Sequence, residues 1–501
     1  MLMFIPLLLV ATFATSHAIK PSTANCTTNF ITQSVDHFSF SPITDADTFQ
    51  ERYYMYKKYW TPNTNAPIFF YCGNEADVGL YVNATGLIWE NAEAFGALII
   101  FAEHRDYGAS VIKKKTSTSE PIHLSHELAL ADYAILISTL RTQLNAHNSP
   151  VIAFGGSYGG KLAAWLRMKY PAAVTGAISA SAPLLAFQGE QDPKWDSQSY
   201  YRVISETAEY YSKACRNNIH AVFSMLDVQG ETVAGRTQLQ SDFGLCKMPS
   251  NAYQVSMLKY FIRDAFDTMS MGNYPFPSNY IAGTAQKPMP AFPVKIACDY
   301  LSNASDGKQA ETLFPAIRSA VSVLYNVSET TKCFDLPAYP TPITPAAPND
   351  GIWDWQWCTE NLPDSFWFST DGVRDMFWNN KYNQTLIDEH CEKVWGVKPR
   401  RDWIRNEYGG RHLLDGHSNI VFSSGGFDGW SSGGIATNVT ERDLTSLMIR
   451  RGGHHLDLMF SHPNDPEEVV HVREYELDAI KRWIKEFKGD VNVKAMSWGD
   501  L

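Results

Sequence analysis

The chain has 501 residues, 45% hydrophobic and 13% aromatic, enough apolar material for a large buried core. That length suits two domains, or one domain carrying a large insertion. The formal net charge of −11 at pH 7 argues against nucleic acid as a partner.

Met1 to Phe13 form an apolar run, and Ser16-His17-Ala18 supplies small residues for cleavage, so residues 1–18 read as a signal peptide too short to span a bilayer. No later run is apolar enough for a membrane anchor. The expectation is export through the secretory pathway. Six N-x-S/T sequons agree with export: Asn25, Asn83, Asn303, Asn326, Asn383 and Asn438. Eight cysteines in an exported chain should be mostly bridged. Cys215, Cys246, Cys298, Cys333, Cys358 and Cys391 crowd the middle of the chain, while Cys26 and Cys72 stand apart. No C-x-x-C pair is present, so a zinc ribbon or redox motif is not indicated; the expectation is no metal and no cofactor.

Pro67 to Cys72 and Ala97 to Ala102 read as buried strands, the first ending at Gly73-Asn74 and the second at Glu103-His104-Arg105. Ser125 can cap a helix running towards Leu144. Pro150 to Phe154 is a third strand and Gly176 to Ser181 a fourth. Between these two lies Gly155-Gly156-Ser157-Tyr158-Gly159, followed by a helical run from Lys161 to Tyr170. Strand, sharp turn and helix give this G-x-S-x-G the context of a nucleophile elbow. Uniformly apolar strands alternating with helices predict a parallel sheet covered on both faces.

From about Leu185 to Gly410 the pattern changes to helical segments, aromatics, prolines and cysteines, with one Pro-rich loop from Pro337 to Asp350. The sheet then resumes with strands at Asn419 to Ser423 and Ser446 to Ile449, and a last amphipathic helix ends near Gly489. The predicted architecture is an α/β-hydrolase fold, residues 19–185 and 411–501, interrupted by a disulfide-stapled helical cap at 186–410.

A serine hydroxyl needs a base, and the base an orienting carboxylate. In this fold the chain order is Ser, then Asp or Glu, then His. Asp428 follows the 419–423 strand, and Arg450-Arg451-Gly452-Gly453-His454-His455 follows the 446–449 strand. Either His of the pair fits the order. The oxyanion donors should be Tyr158 N–H and a backbone N–H from the Gly73-Asn74 loop, with Gly73 the first candidate. The chemistry is acyl transfer. An esterase or lipase shares the elbow, and a silent secreted binding protein would keep the cap without the triad.

The chain resembles the family of lysosomal Pro-Xaa carboxypeptidase and dipeptidyl peptidase II. The resemblance rests on Tyr71-Cys72-Gly73-Asn74-Glu75, Phe101-Ala102-Glu103-His104-Arg105, Gly155 to Gly160, Ala180-Ser181-Ala182-Pro183, Cys358-Thr359-Glu360, Trp395-Gly396-Val397 and His454-His455-Leu456-Asp457-Leu458. It implies a serine exopeptidase acting on short peptides next to proline, with Ser157, Asp428 and His454 as triad. It implies the pairs Cys215–Cys298, Cys246–Cys333 and Cys358–Cys391, and family members tend to be homodimers. Two departures stand near the nucleophile. Lys161 replaces the family's usual proline-pocket Met, and Asp428-Gly429-Trp430 replaces its Asp-Pro-Trp. A carboxypeptidase needs a cation for the terminal carboxylate, for which Lys161 is the candidate. A dipeptidyl peptidase needs a carboxylate for the terminal ammonium, such as Glu75, Glu103 or Glu360.

Overall fold

A computed structural model describes residues 20–497, apart from 41–43, 45–46, 63–64, 113–120, 188–198, 284–286, 303–308, 337–350, 362–367 and 382. The signal peptide, the Asn303 sequon and the Pro-rich loop lie outside the described residues. Eight strands form one sheet: β1 (Thr27–Ser34), β2 (Thr48–Tyr56), β3 (Ile68–Cys72), β4 (Leu98–Ala102), β5 (Val151–Gly156), β6 (Gly176–Ala180), β7 (Ile420–Gly425) and β8 (Leu444–Ile449). Their order is β1-β2-β4-β3-β5-β6-β7-β8. From β4 to β8 every pair is parallel. β1 and β2 are antiparallel to each other, and β2 to β4, so the sheet is mixed where a parallel one was expected. Their partly exposed, polar-interrupted sequences lack the continuous apolar run that marks a central strand.

The central strands are buried along their whole length because both faces are covered. Ile68, Phe70 and Cys72 join one core with the helices His126–Gln143 and Tyr158–Lys169. Phe69 and Tyr71 point the other way, into a core with the helix Gly86–Phe95 and with Ile480 and Trp483 of the helix Glu467–Ser497. The period of two along β3 thus serves two cores at once. The last helix passes through Gly489 instead of ending there: nothing approaches that glycine, and an interior glycine weakens a helix by about 1 kcal/mol without stopping it.

Between β6 and β7 the chain builds a helical cap with a core of its own, from Tyr200 to Cys391. Its longest helix, Ala252–Met271, carries fourteen buried residues, including Phe261, Phe266 and Met271. Disulfides join Cys215 to Cys298, Cys246 to Cys333 and Cys358 to Cys391. Cys26 and Cys72 are unbridged, Cys72 wholly buried and Cys26 pushed up to about 12 by burial. Of the sequons, Asn25, Asn83, Asn383 and Asn438 are exposed and Asn326 is half-buried. No helix among the described residues is long and apolar enough to cross a membrane.

Candidate active site

Four loops at the carboxyl ends of parallel strands meet over the sheet, where sites collect in open α/β folds. The loop after β5 holds Ser157 at φ +60°, ψ −126°, a conformation that a side chain rarely adopts. Its neighbours make that turn possible. A Cβ on Gly155 would stand 1.9 Å from Gly159 O, and one on Gly159 2.9 Å from Cys72 O. Ser157 N–H is anchored to Ala180 O at 2.9 Å, and the helix begins at Tyr158, leaving the hydroxyl at its positive end.

Asp428 lies beyond β7 and His454 beyond β8. Gly426 N–H donates to Ile449 O at 2.8 Å and Phe427 N–H to Gly452 O at 3.0 Å, so the two loops are tied together at their roots. His454 Nδ1 and Asp428 Oδ2 are 2.6 Å apart, and Asp428 is fully buried. That contact sets His454 Nδ1–H as donor and leaves Nε2 as the basic nitrogen. His455 does different work. Its ring abuts Gly156 and meets Tyr280 edge-on at 5.1 Å, its N–H donates to Ser181 Oγ at 2.8 Å, and burial followed by the His454 charge holds it well below the usual histidine range. The Ser157 hydroxyl makes no hydrogen bond among the described residues, and such contacts often tighten only around substrate.

The oxyanion expectation needs one correction. Gly73 N–H donates to Ala102 O at 2.9 Å and is taken up by the sheet. The next amide, Asn74 N–H, makes no hydrogen bond among the described residues. Asn74 lies against the elbow, with its side-chain amide 3.4 Å from Gly156 O. Tyr158 N–H, first in its helix, has no intrahelical acceptor. Asn74 and Tyr158 therefore offer the pair of amides that Gly73 and Tyr158 were expected to supply.

The expected pocket residues separate. Trp430 N–H donates to Asp428 Oδ1 at 3.1 Å, and its ring meets Tyr200 at 5.3 Å and Phe368 at 5.8 Å, both edge-on. Lys161 is buried, with its ammonium 4.8 Å from the centre of the Phe187 ring. Burial pushes it down to about 8, against the pull of Glu75 and Glu360. Glu360 is gripped by His126, whose N–H and Nδ1 reach its carboxylate at 3.0 and 2.7 Å. Glu103 pairs with Arg52 and accepts from Val78 N–H, Ala109 N–H and Ser110 Oγ. Glu75 Oε2 is buried without a hydrogen-bond partner, and burial raises its carboxyl.

A buried relay behind the elbow escaped sequence reasoning. Tyr158 OH lies 3.1 Å from His104 Nε2 and accepts from Gln356 Nε2 at 3.0 Å, and Gln356 in turn reaches Glu360 at 3.1 Å. Burial pushes His104 down to about 4, and with its Nδ1–H donating to Arg105 O at 2.8 Å, Nε2 accepts the hydrogen bond from Tyr158 OH. Sequence reading gave His104 no role, and its contact with Tyr158 belongs to a network that Gln356 of the cap completes.

Residues 33–476 match the family described as Serine carboxypeptidase S28. Lysosomal Pro-X carboxypeptidase of Homo sapiens is 37% identical over 464 residues, covering 91% of this chain and 88% of that protein. The Bos taurus protein of that name is 36% identical over 484 residues, covering 95% and 91%. Prolyl carboxy peptidase like protein 5 of Caenorhabditis elegans is 33% identical over 468 residues, covering 90% and 89%. With an elbow serine, an Asp–His pair and two open amides on one sheet edge, the chain is a serine peptidase that belongs to the serine carboxypeptidase S28 family.

Proposed function

We propose that this peptidase removes the residue that follows a proline at the carboxyl end of short peptides. Ser157 Oγ attacks the carbonyl carbon of the scissile bond, and His454 Nε2 takes its proton. Asp428 holds the imidazole tautomer and stabilises the imidazolium. The oxyanion lies against Tyr158 N–H and Asn74 N–H. His454 then protonates the departing amine, and water repeats the cycle on the acyl-enzyme. The Trp430, Tyr200 and Phe368 rings form an aromatic wall suited to a proline ring, and the cap restricts entry to short chains.

The observation that carries the carboxypeptidase reading is the buried Lys161 ammonium, one helical turn beyond the nucleophile. A cation there suits a terminal carboxylate. Of the three carboxylates that could hold a terminal ammonium, Glu103 and Glu360 are engaged by Arg52 and His126, and burial raises the carboxyl of Glu75, which disfavours its charged form. The relatives' printed names point the same way. Two peptides test it, one blocked at its amino end and one at its carboxyl end, each containing proline. Cleavage of only the amino-blocked peptide is expected, and cleavage of only the other overturns the reading. Because Lys161 is charged below about 8, KM for the free-carboxylate peptide should rise above that pH while an amide-capped peptide shows no such change. A lysosomal or secreted destination and a homodimer belong to the same proposal, checked by organelle fractionation and by light scattering.

A further inference from the structure

We infer that Ser270 to Tyr274, where the longest cap helix ends, is a positioning strut that aligns the catalytic base with its carboxylate. The inference rests on the triad reading above. The two peptide groups that flank the His454 Cα are both held by this one segment. His454 N–H donates to Met271 O at 2.9 Å, and Tyr274 OH donates to His454 O at 3.0 Å. The same segment holds the acid loop. Ser270 Oγ donates to Phe427 O at 2.8 Å, and Trp430 Nε1 reaches Met271 Sδ at 3.1 Å. Ser270 and Tyr274 are both fully buried.

The fit is close. A Cβ on Gly453 would stand 2.7 Å from Met271 O and 3.2 Å from Asn273 N, so a glycine before the base lets the strut approach. The strut is itself fastened: Phe292 N–H donates to Tyr274 O at 2.8 Å, and Asn273 Nδ2 to Tyr211 OH at 3.0 Å. β7 and β8 fix only the roots of the two catalytic loops. Beyond the roots, the cap holds the backbone on both sides of the His454 Cα, and Ser181 Oγ adds one contact by accepting from His455 N–H at 2.8 Å. A carbonyl and a hydroxyl three residues apart on one segment hold the two peptide groups on either side of the His454 Cα. Tyr274 and Ser270 do not reach the reacting atoms, so they act through His454 and Asp428.

Tyr274→Phe keeps the ring and removes the one O–H. A displaced catalytic group far from the substrate contact can cost on the order of 100-fold. We expect kcat per active site to fall by roughly 10- to 100-fold, with KM within about twofold. Active sites are counted by fluorophosphonate labelling, so misfolded protein is excluded from the rate. The low-field proton resonance of the His454 Nδ1–H bond should move or broaden in the same variant. Tyr325→Phe is the control, because Tyr325 OH also donates to a backbone carbonyl of the cap, Phe261 O at 3.0 Å, away from the triad. It should leave kcat per site and the resonance unchanged. If Tyr274→Phe yields no labelled enzyme, Ser270→Ala is judged by the same two readouts. A variant that loses labelled sites but keeps the wild-type rate per site, or a rate within twofold of the control, overturns the strut alone. Failure of the wild-type protein to label overturns the triad reading with it.

Discussion

Replacing His126 by Leu tests whether the buried charge pair behind the elbow stabilises the fold. His126 is fully buried between Glu360, at 2.7 Å from Nδ1, and Glu407, at 2.9 Å from Nε2. Burial alone would lower its pKa, but Glu360 and then Glu407 outweigh that and push it up to about 10. A rise from the ordinary 6.5 to about 10 is worth about 5 kcal/mol while the ring is charged. Breaking a buried pair by removing one partner costs about 3–5 kcal/mol, which agrees. The sign follows from the direction. The contribution is complete below about 6.5 and is lost as pH rises through about 10. Leu still packs against Trp165 and Tyr408, which the imidazole meets at 5.1 and 5.6 Å, so the lost charge dominates. Urea unfolding of both proteins from pH 6 to pH 10 should show a gap of about 5 kcal/mol at pH 6 that narrows on the way up. A loss under about 1 kcal/mol at pH 6, or a gap that widens with pH, refutes the reasoning.

Ser157→Ala should lower turnover by about 10⁶-fold, and Asp428→Asn by roughly 10⁴-fold through the wrong imidazole tautomer. His454→Ala should match the serine variant, whereas fluorophosphonate labelling should survive in His455→Gln; the opposite pattern exchanges their roles. Asp457 and Glu476 are fully buried together, with Ser423 Oγ 2.7 Å from Asp457 and the Arg473 guanidinium, itself paired with Asp465, beside them. Burial first, and then the neighbouring Asp457 charge, hold Glu476 well above the carboxylate range. Its stabilisation is therefore present in acid and lost as pH rises, so Glu476→Gln should raise the melting midpoint at pH 8 relative to wild type and not at pH 4.5. Equal shifts at both would remove the assignment. Replacing Cys246 and Cys333 by Ala opens a loop of sequence separation 87 and should cost about 4–5 kcal/mol in urea unfolding.

Local chemistry made the elbow legible. Gly155 and Gly159 flank Ser157 in a strand-turn-helix context, and hydrophobic period alone located β3 to β8. The order of Asp428 and His454 followed from where the sheet resumes. What stayed open had no local signature. His454 and His455 are adjacent and alike in sequence, and only the reach of Asp428 Oδ2 to one of them separates the two. Gly73 and Asn74 are neighbours in one loop, and the pairing of β3 with β4 decides which amide is consumed. β1 and β2 were hidden because an exposed edge does not impose a continuous apolar pattern.

The sequence by itself determined the chemistry: an activated serine, the order of its partners and a large insertion between strands. Such features are written in residue type and spacing, which are local. The tertiary structure alone decided which histidine Asp428 reaches, which amide is open, and that the cap grips the loops of Asp428 and His454 through Ser270, Met271 and Tyr274. Those contacts join residues more than 150 positions apart, as from Ser270 to Phe427 and from Tyr274 to His454. No period or motif along the chain records a hydrogen bond that forms only when two separately built cores close on each other.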